Sequence, residues 1–267
     1  MTTLARRRLV NLAAVLTVSA LLLLVYVSYT LSLRDASFLT GWLLLASIVA
    51  LTLFNARKKL PFLPLLRSAL WLQAHLYLGL ATVLVFALHV DLRVPNGWLE
   101  GLLALLFAVV VLSGLGGLLL SRTIPGRLRT RGELVLFERQ PQHLRRLREE
   151  LEALALRIES ASLSRFYVDR LIWYFARPRY LAWHLMQSHR PRQMLLDGLA
   201  GLDRYLDDDE RQVKDEMVDL ISTKDDLDYH YAHQSVLKYW LFLHIPLAYS
   251  LLILAGIHAV VAYRWLR

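Results

Sequence analysis

The chain has no cysteine among its 267 residues. This excludes disulfides, thiolate-held iron–sulfur clusters and covalently attached c-type haem, so any cofactor must rely on other ligands. A glycine-rich dinucleotide fingerprint is also missing, leaving no strand-to-helix turn to cradle a pyrophosphate. Carboxylates are scarce over most of the length. Residues 121–236 hold 19 acidic and 19 basic residues, which leaves 3 acidic against 12 basic elsewhere and places the whole +9 net charge outside that interval. Repeats, low-complexity tracts and obvious linkers are absent.

What the chain has in quantity is apolar sequence. Hydrophobic residues make up 56% of it and the mean hydropathy is +0.41, a composition of membrane proteins rather than of one soluble domain. A bilayer core about 30 Å thick takes roughly 20 helical residues to cross. Five stretches are long enough, at about 9–33, 38–54, 69–91, 98–120 and 238–263. The first follows Arg6, Arg7 and Arg8 as a secretory signal would, but it is too long and no small-residue cleavage site follows, so it reads as an anchor. The expected fold is an all-α membrane protein: a five-helix transmembrane bundle with helices 1–4 in residues 1–120, a helical insertion at 121–236 and the fifth helix in 237–267.

Basic residues orient the bundle. Arg6 to Arg8 precede the first span, and Arg57, Lys58, Lys59 and Arg67 separate the second from the third, so both segments are expected in the cytoplasm. The loops around Asp35 and Asp91 then face outward, the interval 121–236 is cytoplasmic, and the tail from Tyr263 to Arg267 is external. The expected location is the inner membrane of a bacterium, as a multi-pass protein with a cytoplasmic N-terminus.

The interval 121–236 is the part with room for a soluble domain, and its charge is graded. Residues 121–190 carry 14 basic and 7 acidic side chains, whereas 191–236 carry 5 and 12, including Asp207, Asp208, Asp209 and Glu210. A basic half suits anionic headgroups and an acidic half a soluble partner, although solvated helix faces explain both. The stretch LRRLREELEALALRIE repeats Leu144, Leu147, Leu151, Leu154 and Ile158 at helical spacing. The aromatic stretch LIWYFARPRYLAWHLM, interrupted by Arg177, Pro178 and Arg179, is expected at the membrane surface or packed on the domain.

Two spans begin and end with imidazole. HLYLGLATVLVFALH runs from His75 to His89, and HIPLAYSLLILAGIH runs from His244 to His258, with thirteen residues between the histidines in each. An unpartnered polar group inside a bilayer costs several kcal/mol, so such residues are functional candidates. A step of fourteen residues falls about 40° short of four full turns, which puts each pair on one helix face about 21 Å apart. Under the topology above both helices run outward. His75 then meets His244 near the cytoplasmic side and His89 meets His258 near the outer side. Facing imidazoles with room for a flat ring between them are what a six-coordinate haem requires on its two axes, so two levels imply two non-covalent b haems.

Other residues fit less specifically. Gly79, Gly256, Gly114, Gly116 and Gly117 would let a macrocycle approach the backbone, but small residues also serve ordinary helix packing. Arg67 and Lys238 flank the inner level, Arg93 and Arg264 the outer, as candidate partners of haem propionates; charged residues at helix ends also snorkel to headgroups without such a role. His230 and His233 in YHYAHQ stand three apart and could form half a metal site. With His143, His184 and His189 they read as surface or interfacial residues.

The double H-x13-H pattern on parallel helices resembles the b-type dihaem cytochromes, namely the cytochrome b subunits of quinol:cytochrome c oxidoreductases and the transmembrane domain of ferric reductases and NADPH oxidases. Ligands on the third and fifth helices favour the second group. The resemblance covers the membrane part only. It implies that His75, His89, His244 and His258 are axial ligands and that the chain passes electrons across the membrane. The quinone pool or a cytoplasmic reductase would lie at one end and an external c-type cytochrome at the other. The cytoplasmic insertion before the fifth helix and the missing dinucleotide fingerprint depart from the reductase pattern, so an electron-transfer subunit is expected rather than a self-contained enzyme. Membrane lipid is an expected partner and nucleic acid is not. Two other readings stand beside this one: a histidine-based metal or proton transporter, which would need intramembrane carboxylates that the spans are read as lacking, and a structural anchor subunit.

Overall fold

The computed structural model describes residues 23–31, 36–57, 68–132 and 135–265, with residues 13, 17, 20 and 21 besides. Helix α1 is seen over 23–31, so about half of the expected first span, with Arg6 to Arg8 before it, lies outside the described residues. It is followed by α2 (Ala36–Arg57), α3 (Ser68–His89), α4 (Trp98–Leu128), α5 (Gln140–Ala155), α6 (Ala161–Phe166), α7 (Ile172–Phe175), α8 (Leu181–Leu185), α9 (Arg190–Ala200) and α10 (Asp208–Trp265). No strand occurs among the described residues. Among the described residues, four helices, α2, α3, α4 and α10, are long and apolar enough to cross a bilayer.

The chain divides into two compact units, one of residues 1–115 with 243–267 and the other of residues 116–242. In the first, α2 and α3 are antiparallel: Gly41 near the start of α2 abuts His89 at the end of α3, while Phe54 near the end of α2 meets His75 near the start of α3. The same logic makes α4 antiparallel to α10 and α3 parallel to α10. An apolar layer of Ile48, Phe107 and Leu251, with Phe86 packed against it, ties the four helices together. The Phe86 and Phe107 rings stack 4.3 Å apart. Outward, Leu105, Leu112, Ile253 and Val260 are each more than 60% exposed, the surface that hydrocarbon rather than water would cover.

The second unit has a core of soluble type. Leu147, Leu151 and Leu154 of α5 form a buried stripe that meets Leu163, Leu171, Phe175, Leu199 and Ile221. Ser160 caps α6, its Oγ accepting from the Leu163 amide at 3.2 Å. The acidic run at 207–210 is a helix start: Asp207 Oδ1 accepts from the Glu210 amide at 2.8 Å, and Asp208, Asp209 and Glu210 occupy the first turn of α10, where carboxylates complement the helix dipole.

Helices α4 and α10 outrun the expected spans. The first continues to Leu128 through Pro125, and the second is continuous over 58 residues through Pro246. The sequence between the soluble and apolar parts contains good helix formers and no cap, so nothing ends the helix at the polarity change. Gly117 supports this region, because a Cβ there would collide with the indole of Trp240.

Candidate functional site

Each of the four spaced histidines lies in one of two clusters within the first unit. In one, the His89 and His258 rings have their centroids 6.4 Å apart with planes at 85°. In the other, His75 and His244 are close enough to interact electrostatically. The His75 ring packs 5.0 Å from Phe54.

Neighbouring helices set the tautomers. His89 Nδ1 is 3.0 Å from the Ser37 carbonyl, which can only accept, so Nδ1 carries the proton and Nε2 the lone pair. The Thr40 hydroxyl, 3.3 Å away, already donates to the Ala36 carbonyl at 2.8 Å and so reinforces the same tautomer. His244 Nδ1 lies 2.6 Å from Ser113 Oγ. The one hydroxyl proton of Ser113 goes to the Val110 carbonyl at 3.0 Å, so here too Nδ1–H donates and Nε2 keeps its lone pair. His258 Nδ1 faces Glu100 Oε1 at 4.0 Å, beyond hydrogen-bond reach. His75 Nδ1 is buried without a hydrogen-bond partner.

A cavity of about 510 Å³ opens beside His89 and His258 and is also lined by Gly41, Arg93, Glu100 and Phe107. Its volume falls within the roughly 300–1,000 Å³ of cofactor and ligand sites. Gly41 permits it: a Cβ at that position would stand 3.0 Å from His89 Cε1. Glu100 folds back over Gly97, where a Cβ would collide with its carboxyl group.

The flanking cations are less uniform. Arg93 lines the cavity and pairs with Asp91 at 3.2 Å, both well exposed. Arg264 is exposed in the last turn of α10. Lys238 belongs to the second unit, with its ammonium 4.2 Å above the Phe137 ring, and Arg67 lies outside the described residues. Of the glycines, Gly114 has a Cβ position 3.6 Å from His244 Cε1, whereas Gly79, Gly116 and Gly256 face open space.

Two expectations need correction. Glu100 stands in the first turn of α4, so the spans are not free of carboxylates. The remaining histidines are not all superficial: His184, His230 and His233 are buried. His230 Nε2–H donates to the Arg131 carbonyl at 2.8 Å and its Nδ1 accepts from the Val135 amide at 3.4 Å, so both nitrogens serve the backbone and no half-site for a metal remains. Among the described residues, no group of three or more His, Asp or Glu side chains is placed to hold a metal ion.

These buried histidines belong to a polar cluster inside the second unit. Arg131 pairs with Asp225 at 3.2 Å, His184 Nε2 is 3.9 Å from the other Asp225 oxygen, and Lys224 pairs with Asp228 in full burial. Burial pushes the Asp228 carboxyl up to about 6, against the pull of Lys224. Burial likewise lowers His184 to about 4, helped by the Arg131 and Lys224 charges. A folded core with buried charged members leaves no periodic trace in sequence.

No family model matches the chain, and no curated protein or solved structure is significantly similar to it.

Proposed function

We propose that the chain carries electrons across a membrane through two b haems, one held by His89 and His258 and one by His75 and His244. The observation that carries this reading is the pairing itself: the same thirteen-residue interval on two helices, with the histidines matched end to end. The His89–His258 spacing fits the group. With ring centroids 6.4 Å apart, the two imidazoles would both be able to reach one iron. At His89 and His244 the Nδ1 protons are tied to Ser37 and Ser113, leaving Nε2 as the ligand nitrogen and fixing ring orientation as metal-ligating histidines require. The cavity and the absence of a side chain at Gly41 supply room beside one pair.

Each haem, when bound, supplies a one-electron iron centre. The residues of the chain do the rest. The two histidine levels stand about 21 Å apart along the helices, and their imidazoles would hold the two groups. Ile48, Phe107 and Leu251, which lie between the histidine positions along α2, α4 and α10, form a buried apolar layer in the bundle. Glu100 gives His258 a carboxylate within 4.0 Å. From the arginine distribution we place the protein in the inner membrane of a bacterium, N-terminus inside and C-terminus outside. The quinone pool or a cytoplasmic reductase serves one end and an external c-type cytochrome the other. A chain of this kind resembles the dihaem cytochromes and acts as an electron-transfer subunit. Transport of a metal ion is less well supported, since the described residues offer no cluster of three ligands.

Histidine-to-leucine variants test the proposal. His89→Leu and His258→Leu are expected to lose one and the same haem, and His75→Leu and His244→Leu the other, with dithionite-driven reduction of an acceptor enclosed in proteoliposomes abolished in all four. Leucine keeps similar volume, so the bundle is expected to survive. Haem loss in any other pairing, or transfer that persists with one haem missing, would overturn it.

A further inference from the structure

Residues 165–190 of the second unit present a face that the histidine clusters do not use. Inward, this stretch buries Leu171, Tyr174, Phe175 and His184. Outward it shows Ile172, Trp173, Trp183, Leu185 and Met186, with Trp173 66% and Met186 76% exposed. Exposed Arg165, Arg170, Arg177 and Arg190 are interleaved with them, and Asp169 is the sole carboxylate of the stretch. Large apolar side chains collected on a surface mark an interaction site. Tryptophan and tyrosine beside arginine are the mixture that settles at headgroup depth, with rings in the interface and guanidinium groups on phosphates.

The support beneath this face is rigid. Lys224 Nζ donates to the Arg177 carbonyl at 3.1 Å and the Arg179 amide donates to Asp228 Oδ2 at 3.1 Å, so the buried pair on α10 pins the loop between α7 and α8. Tyr180 closes that loop with a left-handed φ of 56°. Rings displayed on the short helices that flank a pinned loop lose little further freedom on binding. The chain also enters and leaves this unit through α4 and α10, both of which carry apolar spans, so a bilayer is always present at the effective concentration of a tethered partner. Charge selects its composition: residues 121–190 hold 14 basic and 7 acidic side chains.

We propose that this aromatic–arginine face docks on anionic lipid headgroups of the membrane that anchors the chain. The inference requires the membrane class of the protein and is independent of haem.

The absence of native cysteine permits a clean test on the full chain. Single-cysteine variants Met186→Cys and Asp208→Cys, the latter at a side chain 97% exposed, are spin-labelled and reconstituted in vesicles of phosphatidylglycerol with phosphatidylcholine, or of phosphatidylcholine alone. In the anionic vesicles the label at 186 is expected to collide more with oxygen and less with a water-soluble nickel chelate than the label at 208. In phosphatidylcholine alone that difference is expected to shrink, as it should at high salt. Arg170→Ala or Arg177→Ala should each lower the docked-to-undocked ratio about fivefold. A fully aqueous label at 186 in anionic vesicles would overturn the proposal. Shielding from both reagents would also overturn it, because protein would then cover the face, and equal docking on neutral lipid would refute the role of the arginines.

Discussion

If the chain holds two b haems as proposed, replacing Ser113 by alanine should loosen one and leave the other untouched. Ser113 Oγ takes the His244 Nδ1 proton at 2.6 Å and is itself held by donating to Val110 at 3.0 Å. Alanine removes the acceptor without opening a large cavity, so His244 keeps its place in α10 but loses what fixes its ring plane and tautomer. Loss of an orienting partner typically weakens a metal–histidine site 10–100-fold, or about 1.4–2.7 kcal/mol. The imidazole also becomes a weaker donor, which should raise the midpoint potential of that haem. Transfer of haem from the detergent-solubilised protein to excess apomyoglobin measures the effect directly: one of two phases should accelerate by about one to two orders of magnitude. Ser113→Thr, which restores the oxygen, should return it towards the wild-type rate. Unchanged kinetics, or acceleration of both phases equally, would show that Ser113 does not orient a haem ligand.

Gly41→Val should empty the cavity beside His89, because even a Cβ stands 3.0 Å from His89 Cε1; the reduced spectrum should fall to one haem, while Gly101→Ala, facing open space, keeps both. Lys224→Met strands the Asp228 carboxylate in a site where both side chains are almost fully buried, so chemical denaturation followed on the second unit should show a loss of about 3–5 kcal/mol, largely recovered by adding Asp228→Leu. His184 is held neutral in the fold with its pKa lowered to about 4. A depressed histidine stabilises fully above its unfolded value of about 6.5 and loses that contribution as pH falls towards 4, here about 3 kcal/mol. Protection factors of amides around α8, with exchange rates corrected for their intrinsic pH dependence, should therefore fall between pH 7 and 5, and His184→Gln should flatten that dependence.

The parts of the fold legible in sequence are those set by local pattern. Length and hydropathy locate α2, α3 and the apolar portions of α4 and α10 to within a few residues, and the leucine spacing at 144–158 locates α5. Pattern fails where a helix carries on past a change of polarity, as α10 does from Asp208 to Trp265. The histidine spacing was visible because both members of each pair sit on one helix. Their supports were not, since Ser113 and His244 are 131 residues apart and Ser37 and His89 are 52 apart. One signal was available: Ser113 is an isolated hydroxyl in an apolar run, and the rule that buried polar groups need partners applies to it as it does to imidazole. For His184 and His230 no comparable signal existed, because their burial follows from how the second unit folds around Arg131, Asp225 and Asp228.

The most direct measurement is the absorption spectrum of the purified, dithionite-reduced protein with a pyridine haemochrome titration from haem-replete cells. Bis-imidazole ligation at two levels predicts sharp low-spin b-type bands and about two haems per chain. A colourless preparation, or a single haem that survives both His89→Leu and His244→Leu, would contradict the dihaem account.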